Sequence, residues 1–371
     1  MAVGFAQWGN DLYTGRTSYD IVGKRRKFYI VSIVLVVLSL VVLLTRGFNL
    51  GIEFRGGSEF TVSGLTSLSQ QEAADAVASV APTEQPRISS VGATSLRIQT
   101  AELGEDEVVA VRDALASAYG VSADEVTSSF IGPSWGADVS KKAITGLVVF
   151  LVLVGLVMSA YFRAWRMAAA ALVALFHDLV ITAGVYALIG WEVTPATVIG
   201  FLTILGYSIY DTVVVFDKVR ENTAGITDQT RSTYAERANL AVNQTLVRSI
   251  NTSVVALLPV ASILFIGAFI LGAGTLRDIA LALFIGMAVG TYSSIFLATP
   301  LEVTLRTSEP TIAKHTALVL EKRREALAAG TDASGQPVAG TTDSTIQLVG
   351  QLSPGSHQGH AAQPRRRKGS R

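Results

Sequence analysis

In 371 residues the chain carries 50% hydrophobic and only 16% charged side chains, with a mean hydropathy of +0.44 and a formal charge of +1. Soluble domains carry about 25% charged residues, so this is membrane-class composition, and the near-zero charge excludes a general attraction to nucleic acid. The absence of cysteine excludes disulfides and thiol catalysis, and histidines scattered at 177, 315, 357 and 360 form no zinc constellation.

The first 27 residues are a polar N-terminus closing on Lys24-Arg25-Arg26-Lys27. Six apolar runs follow, at Phe28–Thr45, Ala143–Ala160, Met167–Ile189, Pro195–Phe216, Ser253–Leu271 and Ile279–Thr299. A span needs about 20 residues at 1.5 Å each, so all six qualify. The first run has no small-x-small cleavage site after it and reads as an anchor, not a signal peptide. Residues 28–46 are the first span, and residues 139–305 hold the other five with a cytoplasmic connector over 217–247.

Short loops set the orientation. Lys24–Lys27, then Arg163 and Arg166, then Lys218 and Arg220 mark one side, while Gly190–Thr194 has no basic residue and Gly272–Asp278 has only Arg277. Both termini are therefore expected in the cytoplasm of a multi-pass protein of the cytoplasmic (inner) membrane.

Residues 47–138 are expected outside, as a folded α+β domain. Strands are predicted at Glu59–Ser63, Arg87–Val91, Ser95–Thr100 and Glu125–Ile131, with a Gly92 turn in the central hairpin. Leu68–Val80 reads as a helix opened by a Ser69-x-x-Glu72 capping box. Glu105–Tyr119 reads as a second, with Val108, Val111, Leu115 and Ala118 on one face. The order β-α-β-β-α-β is the ferredoxin-like split βαβ arrangement. The expected fold class is thus an α-helical membrane protein with six transmembrane helices and this domain between the first two. No catalytic motif occurs in it.

The fourth run contains Asp211, a carboxylate between apolar stretches that costs about 2.5–3.5 kcal/mol to insert. On a helix, Gly200, Thr203, Ile204, Tyr207, Ser208 and Asp211 share a small, polar face, while Leu202, Leu205, Ile209, Val213 and Phe216 form the face suited to lipid. Arg248 opens the fifth run, with Asn251 and Thr252 one turn on, and is the natural counter-ion because guanidinium stays charged anywhere. A helix movement that separates acid and base would let the acid take up a proton. His177 and Asp178 in the third run, with Thr182 one turn on, stand at similar depth. They orient helices or pass protons, and adjacent residues about 100° apart are no metal motif. Asp217, Arg220 and Glu221 read as anchors at the membrane exit.

Glu221–Leu246 is a polar, partly helical connector. Residues 306–371 are a cytoplasmic tail with an amphipathic helix over Thr311–Ala329, followed by a Gly, Ser, Thr, Gln and Pro-rich stretch expected to be disordered. It ends in Arg365-Arg-Arg-Lys368, a solvated basic run that reinforces topology.

Gly206-Tyr207-Ser208-Ile-Tyr-Asp211-Thr-Val-Val-Val-Phe-Asp217-Lys-Val-Arg-Glu-Asn222 resembles the fourth-helix signature of the SecD/SecF family of protein-export accessory subunits. Gly51-Ile-Glu53-Phe54-Arg-Gly56-Gly57 resembles that family's Gly-Ile-Asp-Phe-x-Gly-Gly motif. Ile131-Gly132-Pro133 and Arg248-Ser-Ile-Asn-Thr-Ser253 also match, and the motifs stay in register over roughly Gly23–Leu305. Glu53 departs from the usual Asp, and Tyr210 stands where Asn is common.

The resemblance implies a member of the resistance-nodulation-division superfamily with one six-helix half, completed by SecD beside the SecYEG channel. SecA and YidC/YajC would be nearby, with a translocating preprotein as cargo and the bilayer as solvent. It implies Asp211 and Arg248 as a proton-coupling pair, protons as the coupling ion, no other cofactor and no specific nucleic acid. The other readings are a proton-coupled small-molecule exporter of the same superfamily, which would need a larger outer domain, and a passive scaffold for SecD.

Overall fold

The computed structural model describes residues 4–268 and 274–328. In chain order, α1 (Phe5–Thr14) precedes α2 (Arg25–Arg46), and β1 (Asn49–Leu50) and α3 (Ile52–Arg55) lead into the α+β domain. That domain runs β2 (Gly57–Val62), α4 (Gln70–Val80), β3 (Arg87–Val91), β4 (Ser95–Thr100), α5 (Glu105–Tyr119) and β5 (Val126–Ile131). There follow α6 (Pro133–Phe162), α7 (Trp165–Ile189), β6 (Glu192–Val193), α8 (Pro195–Thr223), α9 (Tyr234–Ser262), α10 (Gly274–Ser293), α11 (Thr299–Thr307) and α12 (Pro310–Ala328). Ile263–Ala268 and Ser294–Ala298 are π-helical and continue α9 and α10.

Among the described residues, six helical spans are long and apolar enough to cross a membrane. Those of α2 and α6 bury only 11% of their most apolar stretch within this chain, against 61% for α7. The bundle core is therefore α7, α8 and α10, and α9, whose own apolar stretch is also only 11% buried, packs against α8 and α10 from one side. Gly286 permits the α8–α10 approach, since a Cβ there would collide with Ile204.

In the domain the sheet order is β3-β4-β2-β5, and every neighbouring pair is antiparallel. The period-two alternation of β2 and β4 sends Phe60, Val62, Leu96 and Ile98 into one core, all fully buried beneath α4 and α5. Gly57 adopts φ +133° where a Cβ would collide with the Thr100 carbonyl, so the last glycine of the motif is required by the backbone.

Several local expectations are corrected. Ser69 is the N-cap of α4, yet its side chain makes no capping bond; instead its carbonyl accepts from Tyr119 Oη. On α5 the last turn buries Ala116 and leaves Ala118 exposed. The connector is mostly helix, because α8 runs on to Thr223 and α9 begins at Tyr234, both longer than the bilayer requires. Asn239 and Asn243 on that extension bind the backbone of Tyr19, Ile21 and Val22, which clips the N-terminal segment to α9. On α8 the lipid assignment fails for Leu205 and Phe216, both buried, while Thr203 is exposed. With neighbours on three sides, α8 is buried over a wider arc than one helical stripe. The expected disordered stretch and Arg365–Lys368 lie outside the described residues.

Candidate functional site

Two buried carboxylates lie in the middle of the bundle. Asp178 on α7 is fully buried, and its Oδ2 accepts from Ser208 Oγ of α8 at 2.6 Å and Ser293 Oγ of α10 at 2.8 Å. Its Oδ1 lies 3.0 Å from His177 Nδ1, and the His177 ring stacks on Tyr292 with centroids 6.2 Å apart. One side chain therefore ties three helices together, with both oxygens engaged. Thr182 donates back to the Asp178 carbonyl at 2.7 Å and so takes no part in the cluster.

Asp211 on α8 is 5% exposed and is held differently. Its Oδ1 accepts from Ser249 Oγ of α9 at 2.7 Å, while its buried Oδ2 has no hydrogen-bond partner. The neighbouring Thr212 Oγ1 lies 3.0 Å from Ser294 Oγ at the start of the π-helical stretch. π-Turns recur at functional sites, and this one sets the register in which Ser293 reaches Asp178 and Ser294 reaches Thr212 beside Asp211.

Arg248 does not contact Asp211 in this conformation. Among the described residues it has no carboxylate within 4 Å, and its side chain is exposed while that of Ser249 is buried. Residues 248 and 249 point about 100° apart, so the helix rotation that presents Ser249 to α8 turns Arg248 outward. Asn251 is exposed with it; the inward row is Ser249 and Ser253, the latter accepting from Thr291 Oγ1 at 2.6 Å. That row, and Ser293-Ser294 in the sixth span, were the residues missed above. Small hydroxyl residues at i, i+4 spacing within an apolar run were the available signal. Tyr210 is 55% exposed and points away from Asp211, so its substitution for the common Asn leaves the acid's buried bonding untouched.

The remaining motif residues fall at other places. Tyr207 is half-buried with an unpartnered Oη, and Gly206 lies on the same turn of α8. Asp217 accepts from Tyr161 Oη at 3.0 Å, Lys218 pairs with Glu221 at 2.8 Å, and both lie at the far end of α8. Gly132 is the N-cap of α6 and Pro133 its first residue, where the missing amide proton costs nothing. Gly51, Glu53, Phe54, Gly56 and Gly57 build the joint between the bundle and the domain.

That joint is a two-stranded parallel ladder. Asn49 pairs with Glu192 and Leu50 with Val193, and Gly51 N donates to the Val193 carbonyl at 3.0 Å. Arg97 of the domain reaches Glu192 at 3.4 Å and Glu59 at 3.5 Å. Burial, then the nearby Glu59 and Glu192, push the Glu53 carboxyl above its ordinary value of 4.5. Immediately after β6, Thr194 caps α8 through reciprocal bonds with Thr197. From that cap to Asp211 is 17 residues, about 25 Å along one uninterrupted helix. No cluster of three or more metal-ligating side chains occurs among the described residues.

Residues 110–308 match the family described as protein export membrane protein SecD/SecF, C-terminal, and residues 41–63 match the SecD/SecF GG motif. The chain is similar to the protein translocase subunit SecF of Streptomyces coelicolor, with 48% identity over 90% of this chain and 89% of that one. It is also similar to SecF of Mycobacterium tuberculosis, with 43% identity over 94% and 82%. Among solved structures it resembles SecDF, described as a translocon-associated membrane protein, from Thermus thermophilus, at 31% identity with a TM-score of 0.70. That match covers 79% of this chain and 39% of the SecDF chain, so this chain spans well under half of that polypeptide.

Proposed function

This chain belongs to the SecF branch of the SecD/SecF family of protein translocase subunits, and from that membership we propose that it couples proton entry to the late steps of protein export. It is a multi-pass membrane protein with an accessory role in the Sec translocase. In this reading it sits in the cytoplasmic membrane with both termini inside, and SecD supplies the second six-helix half. The pair stands beside SecYEG, with SecA pushing from within and YidC/YajC nearby. Its domain, a ferredoxin-like fold by strand order, faces outward and handles the emerging preprotein.

The observation that carries this reading is the half-satisfied carboxyl of Asp211. A buried oxygen without a donor is a place where a proton can bind with no competing hydrogen bond to break. In the second conformation α9 turns so that Arg248 replaces Ser249 beside Asp211, and the guanidinium displaces the proton. The rest of α8 carries the movement about 25 Å to Thr194, and the β1–β6 ladder and Arg97 pass it to the domain. One charge crossing 100 mV supplies about 2.3 kcal/mol, and moving a two-state equilibrium from 1:99 to 99:1 takes about 5.5 kcal/mol. A few protons per cycle therefore suffice.

Asp211→Asn tests it in inner-membrane vesicles once the ATP-driven steps are complete. The variant inserts normally, and stimulation of export by the proton gradient disappears. Gradient-dependent export at the wild-type rate would leave only a scaffold role.

A further inference from the structure

At the domain end of the bundle, beside the ladder, lies a cavity of about 1020 Å³ whose arginines take no part in the proton reading. Its wall carries four arginines from four separate elements: Arg46 at the end of α2, Arg55 on α3, Arg87 at the start of β3, and Arg277 on α10. The acids around it are committed elsewhere. Glu192 pairs with Arg97 at 3.4 Å, and Arg277 with Asp278 at 3.4 Å while stacking on Trp191. Glu84 and Glu102 line the adjoining cleft, on the far side of Arg55 and Arg87.

Among the described residues, three guanidinium groups are left without a carboxylate within 4 Å. Arg46 donates only to the Leu188 carbonyl at 3.0 Å, Arg87 only to Asn49 Oδ1, and Arg55 makes no hydrogen bond or ion pair. Burial, then the like charge of Arg87, hold the Arg55 guanidinium below its ordinary value against the weaker opposing pull of Glu192. All three side chains are exposed to solvent and line one space, where like charges favour an anion between them, and a planar guanidinium presents paired donors suited to phosphate oxygens.

The position of the cavity indicates what carries that anion. Arg46 and Leu188 are the last turns of two membrane spans, so the cavity opens at the level where headgroups lie. Directly beneath it the chain shows Leu44 at 86% exposure, with Leu188 and Ile189 about half exposed and Phe48 beside them. A charged space above an uncovered apolar wall matches a phosphate with acyl chains attached, more closely than it matches a peptide.

We propose that this cavity binds the phosphodiester headgroup of an anionic phospholipid from the leaflet on the domain side, its acyl chains lying along the ends of α2 and α7. The lipid neutralises Arg46, Arg55 and Arg87 together and fills the space between the domain and the bundle.

The test uses the full chain, purified in detergent and incubated with dioleoyl-phosphatidylglycerol or dioleoyl-phosphatidylcholine, with bound lipid counted by native mass spectrometry. The wild type retains one phosphatidylglycerol and holds phosphatidylcholine several-fold more weakly. Loss of three charge-assisted contacts in the triple variant R46Q/R55Q/R87Q lowers retention by about tenfold or more. Arg55→Gln alone, which removes no bond within the protein, lowers it several-fold without change in the melting temperature. The control R112Q/K141Q/K142Q, which removes the same charge elsewhere on the domain side, retains lipid as the wild type does. Equal retention by the wild type and the cavity variants overturns the proposal, as does equal loss in the control. If millimolar inorganic phosphate displaces the lipid completely, the cavity is a free-anion site and the lipid assignment fails.

Discussion

Asp178 and Asp211 are both aspartates buried in the same bundle, and they are served in opposite ways. Asp178 has donors from three helices and nothing left to accept. Asp211 has one serine and one idle oxygen. A saturated buried acid fixes geometry, because every partner it loses becomes an unpaired polar group. A half-satisfied one can change partner or proton at small structural expense, which suits a moving part. The comparison teaches that acids of similar burial differ in how many donors hold them; Glu302, fully buried on α11, resembles Asp211 in this, with one donor, Tyr234 Oη at 2.6 Å, and an unpartnered Oε2.

The sharpest way to break this comparison is Asp178→Ala. It strips Ser208 and His177 of their partner and leaves Ser293 with only the Gly290 carbonyl, and thermal melting in detergent should report a loss of about 3–5 kcal/mol. Asp211→Asn, which disturbs a single neutral donor, should stay within about 1 kcal/mol while removing gradient-driven export. Equal destabilisation by the two would mean that both acids are clamps.

A smaller effect is expected at the joint. A double-mutant cycle on Arg97 and Glu192 should give a coupling of about 0.5–1 kcal/mol in stability, together with weaker transmission from Asp211 to the domain. Additive losses would detach the domain from the α8 route.

Glu53 gives the smallest effect and extends the comparison to an acid outside the membrane. Its folded-state value is raised, so its contribution to stability is fully present below its ordinary value of 4.5 and is lost as pH rises through the folded value. Glu53→Gln imitates the protonated form. Its melting temperature should therefore exceed the wild type's slightly at neutral pH and converge with it at acid pH. A constant difference across that range would show that Glu53 does not titrate at the joint.

Much of this organisation is legible in the residues alone. Six spans follow from run length, and the β-α-β-β-α-β order from the change of apolar period between two and 3.6, because both signals are local to each segment. Asp211 stands out for the same reason, as a charge inside an apolar run. The GG motif could be seen, but its role as partner of the α7–α8 loop could not, since Asn49 and Glu192 are 143 residues apart.

Composition and periodicity thus determined six helical spans long and apolar enough to cross a membrane, a small α+β domain and a carboxyl within the fourth span. Tertiary packing alone decided that Ser249 and not Arg248 meets that carboxyl, and that Asp178 is the clamp beside it. The reason is rotational: each residue turns a helix face by about 100°, and the angle at which a helix comes to rest is set by all its neighbours together.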